Sequence, residues 1–476
     1  MSDARFPFTN SRRTFLRNVG IGTGTLGVLG PGALLVPSVS LAVCEPPGKP
    51  GAARPWRADC RPIRARRPAS TLAAAEIQKL KDAYKAMRDL AVSDPSDPRG
   101  FTHQANIHCW FCSVSPTPVH GNWQFFAWHR AYLYFHERIL GKLINDSEFR
   151  LPYWDWEIST HRQLPGAYTN PNNNTNPLWN GTRAMSPTDE LPEEDVNEDV
   201  MEPVYAAANF GEFGGGAGYS GIPEGSPHGS VHVDVGGGGD MGAFDTAGRD
   251  PIFYAHHANV DKLWSDWNKG ASSHENPTDP AFLNLNWSFY DENKVWRSIK
   301  ASQLLNHETQ LRYNYGLSRF REILPCILDW IIVRPPWKFD KPVVVEPRFR
   351  DQITKALDER RPVRMHINNP QIPLDKSAVY RVYADPKSAE ADEGPKSPAF
   401  LGVIPVVLNT REKHHPPKVP QVVLNVSRRI SALLHSTDGI QLSFVERAAK
   451  KGKTTGKVQL LTAREVYFSY GETMRE

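Results

Sequence analysis

Apolar residues recur at helical spacing in several long stretches of this chain, and the pattern changes abruptly near its last quarter. "TLAAAEIQKLKDAYKAMRDLAV", residues 71–92, predicts a first helix. A second runs from about Trp123 or Ala127 to Leu143, where His129, Leu133, His136 and Leu140 keep a 3.6-residue period against polar Arg130, Glu137, Arg138 and Lys142. A looser pattern between Asp195 and Ala208 predicts a third, kinked or started by Pro203. "DPIFYAHHANVDKLWSDWNKG" predicts a fourth, with Pro251 near its first turn. Gly-rich "GEFGGGAGYS" and "VGGGGD" predict loops that bring backbone close to a neighbour, and "LPYWDWE" predicts a buried aromatic knot.

After residue 275, "NPTDPAFLNLNWSFYDENKVWR" alternates as short strands do, followed by helical "IKASQLLNHE" and a proline-rich passage at 335–347. Beyond about 360 the period is two, in "AVYRVYAD", "AFLGVIPVVLN", "QVVLNVSRRI", "IQLSFVE" and "KVQLLTAREVYFSY". The expected fold is therefore mainly α: a four-helix-bundle core with long loops, followed by a small C-terminal antiparallel β-sandwich of about a hundred residues. The expected domains are residues 1–42, 43–345 and 346–476, the last including a connector.

Charge narrows the partners. Lys and Arg number 56 against 52 Asp and Glu, and a net +4 over 476 residues argues for neither nucleic acid nor membrane, which leaves small molecules. The N-terminus reads "SRRTFLRNVGIGTGTLGVLGPGALLVPSVSLAVC". Arg12 and Arg13, a Gly-rich weakly apolar run, and small Ser40 and Ala42 at signal-peptidase spacing predict a twin-arginine signal cleaved near Val43. The export machinery is then a partner, the mature chain works in the periplasm or outside the cell, and no membrane anchor remains. Residues 43–71, rich in Pro, Arg and Gly, predict an irregular arm pinned to the core. Export permits disulfides, but five cysteines (Cys44, Cys60, Cys109, Cys112, Cys326) are an odd number, and spacing alone assigns no pairs.

Ten of the sixteen histidines fall between residues 103 and 257. His228 and His232 share a face if their stretch is helical, and His257 follows on a separate helix. His129 projects from the second helix, His120 precedes it by nine residues, and His108 comes from the loop before. Two such triplets can converge in a bundle core, where neutral imidazoles suit Cu, Zn, Fe or Ni; the lack of matching carboxylates disfavours di-iron or di-magnesium chemistry. His136, His161, His274, His307, His366, His414, His415 and His435 read as ordinary hydrogen-bonded residues. A zinc hydrolase or a structural metal protein would use similar residues.

From about residue 83 to its end the chain resembles the type 3 copper family, and within it the plant-like polyphenol oxidases, which comprise catechol oxidases and tyrosinases. The matching stretches are "QANIHCWFC", "WQFFAWHRAYLYFHERIL", "LPYWDWE", "GSPHGSVH", "DMGAFDTAGRDPIFYAHHANVDKLW" and, less tightly, "DPAFLNLNWSFYDE". The resemblance implies two copper ions, one on His108, His120 and His129, the other on His228, His232 and His257, with His256 a neighbour. It also implies a thioether between Cys112 and His120. Relatives pair the cysteine matching Cys109 with one in the N-terminal arm; Cys60 to Cys109 is the preferred bridge, Cys44 to Cys60 its rival. Phe244 matches a bulky gate over the second copper, and Glu224 a glutamate that can hold a water. Relatives that hydroxylate monophenols well carry Asn where this chain has Gly229. The implied activity is oxidation of o-diphenols to o-quinones with dioxygen reduced to water. A tyrosinase with monophenol hydroxylation and a hemocyanin-like oxygen-binding protein are the alternatives, and a C-terminal domain covering the site implies a latent proenzyme.

Overall fold

A computed structural model describes most of residues 44–473, with breaks chiefly within 45–50, 59–60, 170–174, 272–273, 317–326, 334–346, 408–420, 431–439 and 448–456. The expected signal at 1–42, Cys60, Cys326, His414, His415 and His435 lie outside the described residues. Among those described, no helix is long and apolar enough to cross a membrane.

Helix α1 (Ala74–Ser93) begins where the Glu76 carboxylate accepts the backbone N–H of Ala73 at 2.8 Å. Helix α2 spans Phe101–Cys109 and α3 spans Gln124–Leu143, where Asn122 Oδ1 accepts the Gln124 N–H at 2.9 Å. Aromatic and aliphatic residues occur on every side of α3, so it is the central helix, buried from Phe125 to Glu137. Helices α4 (Glu198–Tyr205), α5 (Ser230–Gly236) and α6 (Ile252–Gly270) complete the surround, with Pro251 immediately before α6 as its ring permits. The aromatic knot is buried, Trp154 and Trp156 included.

Three local expectations differ from the structure. His108 lies on α2 and not in a loop. The helix predicted near Pro203 breaks at Asn197 instead, because the Asn197 side chain accepts the Val200 N–H and caps a new start; Pro203 is accommodated inside α4. "IKASQLLNHE" is no helix: strand β2 (Trp296–Lys300) pairs antiparallel with β1 (Asn286–Tyr290) and takes up its beginning, and single turns at Ala301–Gln303 and His307–Leu311 take up the rest.

The C-terminal part forms two four-stranded antiparallel sheets. Strands β3 (Ile327–Val333), β4 (Val363–Asn368), β7 (Gln421–Asn425) and β10 (Glu465–Thr473) make one, in the order β7-β4-β10-β3. Strands β5 (Ala378–Tyr383), β6 (Phe400–Val406), β8 (Ser443–Arg447) and β9 (Gln459–Leu460) make the other, in the order β9-β8-β5-β6. Val363, Met365 and Ile367 of the first sheet meet Tyr380, Val382, Ile404 and Phe444 of the second in a separate apolar core. A helix, α7 (Pro347–Asp358), was not foreseen in the proline-rich connector.

Buried charge joins the parts. Between α3 and α6, Arg130 Nε donates to Asp261 Oδ1 at 2.6 Å, and Tyr313 and Tyr315 donate to Asp261 Oδ2 at 2.5 Å. Arg66 of the arm reaches Glu137 at 2.9 Å and Asp261 at 3.3 Å. Between core and β domain, Arg447 binds Glu194, Asp195 and Asp234, while Arg381 binds Glu194 and Asp392. Burial alone would raise the Asp261 carboxyl, but Arg130 and Arg66 hold it down to about 2. Its ionised form therefore stabilises the fold above the ordinary carboxylate range, and that contribution fades as pH falls from about 4 toward 2. Asp261→Asn takes the buried carboxylate away from Arg130, leaves Arg66 with Glu137 alone, and is expected to cost roughly 3–5 kcal/mol in urea unfolding at neutral pH, with a smaller difference from wild type at pH 3.

Candidate metal centre

The six predicted histidines come together. His108 is supplied by α2, His129 by α3, His232 by α5 and His257 by α6; His120 stands in the loop before α3, and His228 in the turn Glu224–Gly229 that leads into α5. All are at most slightly exposed. His108, His120 and His129 form one group with Cys112, and His228, His232 and His257 another with His256; within each, one ligand atom per residue lies within 4.8 Å of the others. The groups face each other. The His129 and His257 rings stack at 4.3 Å and 12°, and His120 and His228 at 5.9 Å and 29°.

Backbone carbonyls set the direction of most of these rings. Nδ1–H donates to a carbonyl from His108 (Phe244, 2.9 Å), His129 (Phe125, 2.8 Å), His228 (Glu224, 2.8 Å) and His232 (Met241, 2.8 Å). Each neutral ring then carries its lone pair on Nε2, facing inward. The Nε2 atoms of His108, His120, His129 and His228 are buried and have no hydrogen-bond partner among the described residues. The Nε2 atoms of His232 and His257 lie 3.2 Å apart, which suits two nitrogens each ~2.0 Å from one ion. Burial, reinforced by neighbouring imidazoles, pushes His108, His129, His228 and His257 well below the usual histidine range, and burial takes His232 down to about 4 against the pull of the Met241 carbonyl. Neutral donors with free lone pairs are what a soft or borderline metal needs, and these residues fit a dinuclear copper site.

His256 differs. Trp156 Nε1–H donates to its Nδ1 at 3.1 Å, so a neutral ring carries its proton on Nε2 and offers no lone pair there. Glu224 bridges the groups: its carbonyl holds His228, its Oε1 accepts the Gly121 N–H at 2.6 Å and lies 3.2 Å from His120 Nδ1 without the alignment of a hydrogen bond, and its Oε2 is buried without a partner among the described residues. The glycine loop is needed because Met241 must reach His232: a Cβ at Gly236 would collide with the backbone of Met241 and Gly242.

Two sequence expectations are corrected. Cys109, at the end of α2, is disulfide-bonded to Cys44, with Cα atoms 5.5 Å apart, and both are buried. That pairing excludes Cys60–Cys109 and Cys44–Cys60, and among the described residues leaves Cys112 as the buried free thiol, which burial pushes up and keeps protonated. The Phe244 ring lies against His120 of the first group, at 4.4 Å, and not over the second. Its carbonyl is committed to His108, which draws the whole residue to that side. The carbonyls of Phe125, Met241 and Phe244 escaped sequence reasoning because any residue has one; Trp156 had a signal only in the aromatic knot.

Residues 98–192 and 161–270 match the common central domain of tyrosinase, and residues 276–331 the polyphenol oxidase middle domain. The chain is 34% identical over 303 residues to the chloroplastic latent form of polyphenol oxidase from Prunus armeniaca, a match covering 54% of this chain and 48% of that one. The structure of Grenache (Vitis vinifera) polyphenol oxidase is 30% identical, with a TM-score of 0.53, over 60% of this chain and 95% of its own. This chain belongs to the type 3 copper family of plant-like polyphenol oxidases and tyrosinases. The fold of latent apple tyrosinase extends the likeness over 88% of this chain and 100% of that one, with a TM-score of 0.64 at 24% identity, so the C-terminal fold is shared too. This family member spans about half the length of the curated relatives it matches.

The tautomer of His256 sets an expectation. In copper titrations followed by metal analysis, His256→Ala keeps the wild-type stoichiometry, whereas His257→Ala loses one equivalent.

Proposed function

We propose that this chain is a copper-dependent oxidase that converts o-diphenols to o-quinones, two diphenols per dioxygen reduced to water. The observation that carries the reading is the pair of facing histidine groups whose Nε2 atoms point at one another with no other partner. His108, His120 and His129 would hold one ion, and His228, His232 and His257 the other. A copper pair supplies two-electron exchange between phenol and dioxygen. The chain's residues do the rest. Phe244 offers a flat apolar face beside His120 and limits the size of the aromatic ring that enters. Glu224, whose carboxylate lies beside His120 and whose Oε2 has no partner among the described residues, is the proton acceptor for the diphenol hydroxyl. Gly229 supplies no side chain to orient a water or base, which favours diphenols over monophenols. Cys112, grouped with His120, would tether that loop-borne ring through a thioether.

Residues 1–42 serve as a twin-arginine export signal, so the enzyme acts in the periplasm or outside the cell. The expected division at 345 puts the oxidase in residues 43–345; strand β3 (Ile327–Val333) nevertheless pairs into a sheet of the β domain, and that domain, with residues 346–476, acts as a lid. Supporting the lid is the apolar cluster in which Val233 and Phe244, beside the histidines, pack against Val379, Tyr383, Phe400, Val403 and Val407. The likeness to latent forms of polyphenol oxidase and tyrosinase supports it as well.

Copper-loaded protein treated with mild protease in the 335–365 connector is expected to oxidise 4-tert-butylcatechol faster than intact protein does, and faster than it hydroxylates tyrosine. Reversible oxygen uptake with no quinone from either form would replace the oxidase with an oxygen carrier. Separately, intact mass of copper-loaded wild type should fall two hydrogens below the sequence mass corrected for the disulfide, a deficit absent in Cys112→Ser.

A further inference from the structure

Gly229 follows the ligand His228 with φ −63° and ψ −36°, an ordinary right-handed helical conformation open to any residue. Glycine is a poor helix former, so local conformation gives no reason for it. The reason lies across the domain interface. A Cβ at this position would stand 3.3 Å from Pro405 Cγ, 3.4 Å from Pro405 Cβ and 3.5 Å from Val407 Cγ2. Both residues belong to β6 and its immediate continuation. The same strand gives Phe400 and Val403 to the apolar cluster around Val233 and Phe244. Strand β6 therefore rests on the bare backbone between His228 and Ser230 and, through that cluster, on the phenyl ring beside His120.

We infer that Gly229 is a lid-docking residue as well as a substrate-selecting one: Pro405 fills the space into which a side chain at position 229 would project. This deepens the oxidase reading and rests on it for the selecting role. The two roles oppose each other. A polar side chain longer than a methyl at 229, of the kind that would assist a monophenol, presses on Pro405 and strains the β6 contact that the closed lid makes with glycine. Positions 229 and 405 are thus one steric pair, and a longer side chain that widens substrate range at 229 loosens the closed state. The flanking ion pairs of Arg447 and Arg381 with Glu194 do not touch Gly229 and keep the two parts near each other when β6 lifts.

The test uses the full chain and reads hydrogen exchange of the β6 amides, which needs no turnover. Gly229→Asn is expected to speed exchange across residues 400–406 by roughly five- to a hundredfold, the equilibrium shift that overpacking a buried contact produces, with copper stoichiometry unchanged. Adding Pro405→Gly to that variant should restore much of the protection by opening room. Gly229→Ala, which asks Pro405 to move only a few tenths of an ångström, gives a smaller effect in the same direction and serves if the Asn variant does not fold. Wild-type protection of β6 in the folded Asn variant, or no recovery in the double variant, overturns the inference. Equal catechol oxidation by intact and protease-treated wild type would overturn the lid's inhibitory role alone, leaving the exchange result to judge the contact.

Discussion

Burying many uncharged imidazoles in one core is the constraint on which this structure turns. Each neutral ring has one proton and one lone pair, and a buried ring that satisfies neither is costly. The chain answers by giving the proton of four rings to backbone carbonyls at Phe244, Phe125, Glu224 and Met241. That choice determines the rest: with Nδ1 occupied, Nε2 faces the centre, and only a metal can use so many converging lone pairs at once. His256 shows the converse, since Trp156 takes its Nδ1 lone pair and leaves the proton of a neutral ring on Nε2.

Holding such rings still requires the helices beneath them to stay in register. His129 and His257 are each followed closely by a member of the same buried ion pair, Arg130 on α3 and Asp261 on α6. Rotation of either helix would break that pair and separate the stacked rings. The disulfide from Cys44 to Cys109 ties the arm to the end of α2, one residue beyond His108. The β domain completes the enclosure, with apolar contact at Phe244 and Val233 and with Arg447 set among Glu194, Asp195 and Asp234. Metal geometry, helix register and domain docking therefore share a single set of neighbouring residues.

The parts of this arrangement legible in the sequence are those that depend on side-chain type and period. Histidine spacing points to the groups, the helical period to α1, α3 and α6, and the alternation beyond residue 360 to most strands of the two sheets, missing β3, which lies before it, and β4. The choice between His256 and His257 rests on family resemblance, since adjacent residues cannot be separated by spacing; the hydrogen bond from Trp156, a hundred residues away, favours the same choice. The Cys109 pairing was misread because two arm cysteines compete for one partner and only folding selects between them. The helix start lies at Asn197 and not at Pro203 because a capping side chain sets it, and Pro203 falls inside the short helix near its C-terminal end. Gly229 was read as a matter of substrate alone, because the strand that presses on it lies some 170 residues later in the chain.

The central claim is that two ions are each held by three imidazole nitrogens, with Cys112 and His256 excluded from coordination. X-ray absorption at the copper edge on fully loaded protein tests it directly. The account predicts two coppers per chain, imidazole scattering equivalent to three nitrogens per ion, and no sulfur shell near ~2.3 Å. A sulfur shell, or saturation at a single copper, would contradict it.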